Sequence, residues 1–112
     1  MTNHRTIAVI LAAGKGSRMM SKLPKVMHPI ANKPMIGHVL SVASQLHPKE
    51  IIVVVGPGMS EVTNFISPHT SVLQKKRLGT ADAVKVALPM AVKNKAQTVL
   101  ILYGDTPLLR PE

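Results

Sequence analysis

The sequence predicts an α/β fold: a doubly wound, mostly parallel sheet with helices on both faces. Three observations carry that prediction. Apolar, β-branched runs stand at Thr6–Leu11, Ile51–Val55, Ser71–Leu73 and Thr98–Leu102, and they are continuous rather than alternating, as strands buried on both faces are. Segments with helical spacing separate these runs, so the order reads β-α-β-α-β-α-β. Glycines and cations then crowd into the loop after the first run, at a strand-to-helix turn.

Each helix follows from local chemistry. Pro34 suits the first turn of a helix, and Met35, Val39, Val42, Ala43 and Leu46 then fall on one face. A short helix is predicted over Ser60–Phe65, with Ser60 as N-cap and Pro68 beyond its end. A third helix begins near Gly79-Thr80 with Ala83, Val84, Ala87 and Leu88 as its buried stripe, and Pro89 predicts an end or a kink at Leu88. Right-handed crossovers bring the strand-to-helix loops to one carboxyl edge. There Ala12–Lys25, Gly56–Met59 and Tyr103–Leu108 converge, joined by Gln74–Thr80.

Composition narrows the function classes. The 112 residues are 46% hydrophobic and 17% charged, which is globular, with one Phe, one Tyr and no Trp, so the core is aliphatic. Cysteine is absent, which excludes disulfides, thiolate metal sites and cysteine nucleophiles and agrees with a cytoplasmic location. No segment has the roughly 18 consecutive apolar residues of a membrane span. Ala12-Ala13-Gly14 imitates a signal cleavage site, but the amphipathic pattern continues past it. Fourteen Lys and Arg against five Asp and Glu give a net charge of +9, which points to an anionic partner. The cations cluster in Lys15–Lys33 and Lys75-Lys76-Arg77, both loop-like and without an aromatic stacking platform. A small phosphorylated ligand fits that distribution better than nucleic acid or a membrane surface; a nucleic-acid module is the alternative from another class, and predicts steeply salt-dependent polynucleotide binding.

Gly14-Lys15-Gly16-Ser17-Arg18 follows a strand, as phosphate loops do, because glycines let backbone N–H groups approach an anion. It has neither the Walker A spacing nor the third glycine of the dinucleotide fingerprint, and an ordinary βα turn reads the same. Arg18 offers a planar fork and Lys25 a point charge for phosphate, against a plainer reading as solvated surface cations. Of the five acids, Asp105 alone stands at the carboxyl end of a buried run, where a carboxylate can hold Mg²⁺ on a nucleotide; a cap on the turn before Pro107 reads the same position. His4, His28, His38, His47 and His69 show no paired metal spacing, and no serine has a local triad arrangement.

Leu11-Ala12-Ala13-Gly14-Lys15-Gly16-Ser17-Arg18-Met19 with Leu23-Pro24-Lys25-Val26-Met27-His28 resembles the sugar-1-phosphate nucleotidyltransferases. Lys33-Pro34-Met35-Ile36-Gly37-His38-Val39, Leu78-Gly79-Thr80 and Leu102-Tyr103-Gly104-Asp105-Thr106-Pro107-Leu108 narrow the resemblance. Five motifs, in order over the whole chain, are similar to the N-terminal uridyltransferase domain of the bifunctional bacterial N-acetylglucosamine-1-phosphate uridyltransferase/glucosamine-1-phosphate acetyltransferases. The resemblance implies a Rossmann-like nucleotide-diphospho-sugar transferase fold, of which residues 1–112 form the N-terminal nucleotide-binding part. It implies uridylyl transfer from UTP to N-acetylglucosamine-1-phosphate, giving UDP-N-acetylglucosamine, a cell-wall precursor, and pyrophosphate.

By position, the resemblance implies that Leu11, Ala12, Ala13 and Gly14 hold the nucleotide through their backbone. Arg18 and Lys25 stabilise the phosphates, and Gln74, Gly79 and Thr80 read the uracil. Tyr103 and Gly104 approach nucleotide and sugar, and Asp105 ligates Mg²⁺. The chain departs from the family at Lys76, where an acid is common, and at Asp82, where histidine is common; both lie on the uracil side. A nucleotidyltransferase for another sugar phosphate, or for a cytidylyl or molybdopterin substrate, is the alternative within the class. The resemblance further implies homo-oligomers formed through a second domain, and predicts that the 112-residue chain alone releases no pyrophosphate from UTP and N-acetylglucosamine-1-phosphate. Measurable release in a coupled phosphate assay contradicts that.

Overall fold

The computed structural model describes residues 3–13, 25–27, 29–30, 32–75, 80–93 and 95–104. Four strands, β1 (Asn3–Leu11), β4 (Pro48–Val55), β5 (Thr70–Leu73) and β6 (Thr98–Tyr103), form one sheet in the order β5-β4-β1-β6. Every pairing in it is parallel, so each connection crosses over through a helix. Between β1 and the first helix lie a 3₁₀ turn (Lys25–Met27) and a small antiparallel pair, β2 (Pro29–Ile30) with β3 (Lys33–Pro34). That pair was not legible in the apolar pattern. Its sign is Asn32, whose φ of 67° lies in the left-handed region that asparagine tolerates at turns.

The continuous apolar runs are strands because both faces of the sheet are covered. On one face Ala8, Ile10, Ile51, Val53 and Val55 pack with Ile36, Val39 and Ala43 of α1 (Met35–Gln45) and Val62 and Ile66 of α2 (Ser60–Ile66). On the other, Ile7, Val9, Ile52 and Val54 pack with Ala83 and Ala87 of α3 (Thr80–Lys93). Successive residues of β1 and β4 thus alternate between two cores, and the doubly wound α/β prediction holds. Burying each of the valine and isoleucine side chains among them is worth about 1.5–3 kcal/mol.

Several local expectations need correction. Pro34 precedes α1 as its N-cap, because its pairing with Pro29 demands the extended ψ of 145°. The core stripe of α1 is Ile36, Val39 and Ala43; Met35 and Val42 are half-buried, and Leu46, past the last turn, is 48% exposed. Met59, not Ser60, caps α2, and its carbonyl accepts from the N–H groups of Val62 and Thr63. Helix α3 does not stop at Leu88 but continues through Pro89 to Lys93. Pro89 and Lys85, whose carbonyl an ordinary residue at 89 would engage, are both exposed, so water can serve the orphaned acceptor. The stripe of α3 is accordingly Ala83, Ala87 and Ala91, with Val84 half-buried and Leu88 exposed.

The turn after β4 gives one direct prediction. Gly58 has φ 76°, and a Cβ there would meet nothing within 4 Å. Gly58→Ala therefore costs only the left-handed backbone penalty, about 1–2 kcal/mol, read as a lowered urea midpoint with an unchanged m-value.

Candidate functional site

All four parallel strands end at one edge. Leu11 lies opposite Val54 on one side and Tyr103 on the other, and Val55 lies opposite Leu73. The ladder then runs one residue past the strands into each loop. Ala12 N–H donates to the Val54 carbonyl at 2.8 Å, Gly104 N–H to the Leu11 carbonyl at 3.0 Å, and Gln74 N–H to the Val55 carbonyl at 2.8 Å. Three loop starts are therefore fixed by the sheet itself, not by flexible side chains.

Small residues make that edge close. Ala12 and Ala13 are 1% and 2% exposed and pack into opposite cores. A Cβ on Gly104 would come within 3.2 Å of the Leu11 carbonyl oxygen, 3.3 Å of Val26 Cγ1 and 3.5 Å of Ala12 Cβ. Val26 is itself buried, so the 3₁₀ turn is anchored beside Gly104, and the backbone of Lys25 arrives at the same edge. Sequence reasoning assigned Val26 no role; its sign is an apolar Val26-Met27 pair between Lys25 and His28 in a loop.

Among the residues expected at the site, the structure brings together Leu11, Ala12, Ala13, Tyr103 and Gly104, with the Lys25 backbone beside them. Gln74 follows β5 at the same edge, and Thr80 opens α3. Tyr103 is half-exposed at the end of β6. Gly14, Arg18, Gly79, Asp105 and the departure at Lys76 lie outside the described residues. A second pairing was missed from sequence. The Gln74 side chain is 3% exposed, and its Nε2 donates to Asp82 Oδ2 at 2.8 Å, so the departure at Asp82 touches the residue expected to read the base.

The opposite edge of the sheet carries a groove of about 470 Å³, lined by Ser44, His47, Glu50, His69 and Thr70 among others. The Glu50 carboxylate there accepts from the Thr70 hydroxyl. Among the described residues no group of three or more His, Cys, Asp or Glu could hold a metal ion, and no helix is long and apolar enough to cross a membrane.

A parallel sheet whose glycine- and alanine-lined loops meet at the carboxyl edge is the architecture of a nucleotide-binding α/β domain. The chain belongs to the MobA-like NTP transferase domain family, whose profile matches residues 8–112. It is similar to proteins named bifunctional protein GlmU, with 53% identity to that of Parvibaculum lavamentivorans over 100% of this chain and 52% to that of Rhodospirillum rubrum over 96%. The chain spans about a quarter of the length of these relatives (25% and 24%). Among solved structures it is similar to Rv0371c of Mycobacterium tuberculosis, with a TM-score of 0.80 and 26% identity over 96% of this chain and 55% of that one. Rv0371c in complex with manganese superposes with a TM-score of 0.76 at 27% identity, covering 96% and 54%.

Proposed function

We propose that this chain is the nucleotide-binding part of a uridylyltransferase that joins UTP to N-acetylglucosamine-1-phosphate, giving UDP-N-acetylglucosamine and pyrophosphate. The observation that carries the reading is the set of main-chain hydrogen bonds from Ala12, Gly104 and Gln74 to the strand ends. They hold the starts of three loops at one edge, and those loops contain the residues that the resemblance assigns to nucleotide. The relatives named GlmU, at about half identity over nearly the whole chain, support the same reading.

The chemistry needs no protein nucleophile. A phosphate oxygen of the sugar phosphate attacks the α-phosphorus of UTP, a new P–O bond forms, the α–β anhydride bond breaks, and its electron pair leaves on pyrophosphate. The chain's task is positioning and charge neutralisation. In this proposal the backbone of Leu11 to Gly14 lies along the nucleotide, Arg18 and Lys25 offset the negative charge that builds on the phosphates, and Gln74, Gly79 and Thr80 contact the uracil. Tyr103 and Gly104 border nucleotide and sugar.

The donor set also fits a divalent cation. Asp105 directly follows Gly104, which the bond to Leu11 ties to the sheet edge. One carboxylate together with substrate phosphates is the usual protein share of a Mg²⁺ site. When bound, Mg²⁺ supplies neutralisation of phosphate charge. Asp105 would hold it, and the cationic side chains act beside it.

Calorimetric titration with UTP, CTP, GTP and ATP, each with Mg²⁺, tests the reading. The expected result is selective UTP binding that weakens about ten- to hundredfold in Arg18→Ala, the size of a lost hydrogen bond to a charged group. Equal binding of all four nucleotides, or of none, contradicts it.

A further inference from the structure

We propose that the turn Gly56-Pro57-Gly58, between β4 and α2, is part of the nucleotide site and lies against the nucleoside of UTP. The proposal rests on the reading above that Gln74 meets the base and that Leu11 to Gly14 hold the nucleotide. Strand order carries it. In β5-β4-β1-β6 the connections reverse direction at β1, so the crevice of the edge opens between the loops after β1 and β6. Gln74 stands away from that crevice, at the end of β5, with β4 between it and β1. Neighbouring strands lie about 4.8 Å apart, which puts β5 and β1 about 10 Å apart. Val55 pairs with Leu73, so the next residues, Gly56 and Gln74, stand level with each other. A base held at Gln74 therefore reaches the backbone of Ala12 and Ala13 only by lying across the end of β4. The chain there is Gly56-Pro57-Gly58.

The turn leaves that place clear. Gly56 is buried, and its N–H donates to the Met59 thioether sulfur at 3.1 Å. Met59 is itself buried, in the core that also holds Val55 and Val62. Its carbonyl accepts from the N–H groups of Val62 and Thr63 and from the Thr63 hydroxyl. One residue thus ties the turn to the end of β4 through its side chain and to the first turn of α2 through its backbone. Pro57 and Gly58 are exposed, and a Cβ on Gly58 would meet nothing within 4 Å. With the Gly56 N–H engaged by sulfur and no side chain on Gly56 or Gly58, the nucleoside meets bare backbone and the Pro57 ring. The turn therefore recognises shape. A left-handed φ of 76° calls for glycine at position 58 with or without a ligand, so contact and not conformation is what has to be measured.

The test is NMR of the 112-residue chain with UTP and Mg²⁺, read as intermolecular cross-peaks between ligand and backbone protons. The expected result is cross-peaks from uracil H5 and H6 or ribose H1′ to Gly56 or Gly58, alongside others to Ala12 or Ala13. Met59→Leu supplies a second measurement. Leucine fills a similar apolar volume but offers no acceptor, so the buried Gly56 N–H loses its partner and the turn shifts. The Gly56 amide resonance then moves in the free variant, and UTP binds about tenfold more weakly, as when the competent turn is populated about one time in ten.

Cross-peaks at Ala12, Ala13 or Gln74 with none at the turn overturn the inference and leave the uridine reading standing. Full UTP affinity in a Met59→Leu variant whose Gly56 resonance has moved does the same. A chain that binds no UTP, or shows ligand contacts at none of these residues, overturns that reading and the inference with it.

Discussion

Ile10→Ala is expected to lower the unfolding free energy by about 2–5 kcal/mol. Ile10 is fully buried and stands on the central strand, opposite Val53 of β4 and Leu102 of β6. It shares a core with Ile36, Val39 and Val26, so the substitution removes methyl groups from a site hemmed in by two strands and a helix. A sheet paired on both sides cannot collapse far into the space, which puts the cost toward the upper end of the range. Ile10→Val keeps most of the volume and should cost about 0.5–1.5 kcal/mol. Val92→Ala is the control, since Val92 is 72% exposed, and should stay within about 0.5 kcal/mol of wild type. Urea unfolding of the three variants separates these outcomes. A loss below about 1 kcal/mol for Ile10→Ala would mean that β1 is not the centre of the core.

The second large effect is expected at Gly104. Its backbone is not in the left-handed region, since Gly58 is the glycine with positive φ among the described residues, so the constraint is packing and not conformation. Gly104→Ala brings a Cβ to 3.2 Å from the Leu11 carbonyl oxygen, and a shift of a few tenths of an ångström accommodates it. Gly104→Leu has no such escape: Leu11 and Ala12 lie on one side and the buried Val26 beside them. The added bulk must push β6 off β1 or displace the 3₁₀ turn, at about 1–3 kcal/mol. In the first case the Gly104 N–H to Leu11 bond breaks; in the second the Lys25 backbone leaves the edge. Either way UTP binding is abolished in Gly104→Leu and weakened in Gly104→Ala, and titration at a temperature where both variants remain folded checks it. Full UTP affinity in a folded Gly104→Leu would place the nucleotide elsewhere.

The sheet was legible because its strands are buried on both faces, and continuous Val and Ile runs have few other uses. The crossover rule then put Ala12, Gly56, Gln74 and Gly104 at one edge without further information. Periodicity was less decisive for helices. It shows which residues share a face, but in α1 two adjacent stripes are both apolar, and only the sheet beneath selects Ile36, Val39 and Ala43 over Met35, Val42 and Leu46. Of the two outcomes Pro89 allowed, the helix does not end there, because the carbonyl left without its N–H partner belongs to an exposed residue that water can serve. The bond from Gln74 to Asp82 joins residues eight positions apart across a loop, a spacing with no helical or strand signature. Val26 against Gly104 is likewise a contact made by tertiary structure alone. The family resemblance supplied the site residues, whereas the geometry supplies reasons for Ala12, Ala13 and Gly104 being small.

Nucleotide is expected to bind at the carboxyl edge of the sheet. Backbone amide chemical shifts, followed by NMR as UTP and Mg²⁺ are added, test it most directly. The largest changes are expected at Leu11, Ala12, Ala13, Gln74, Tyr103 and Gly104. Changes gathered instead around His47, Glu50 and His69, in the groove at the opposite edge, would contradict it.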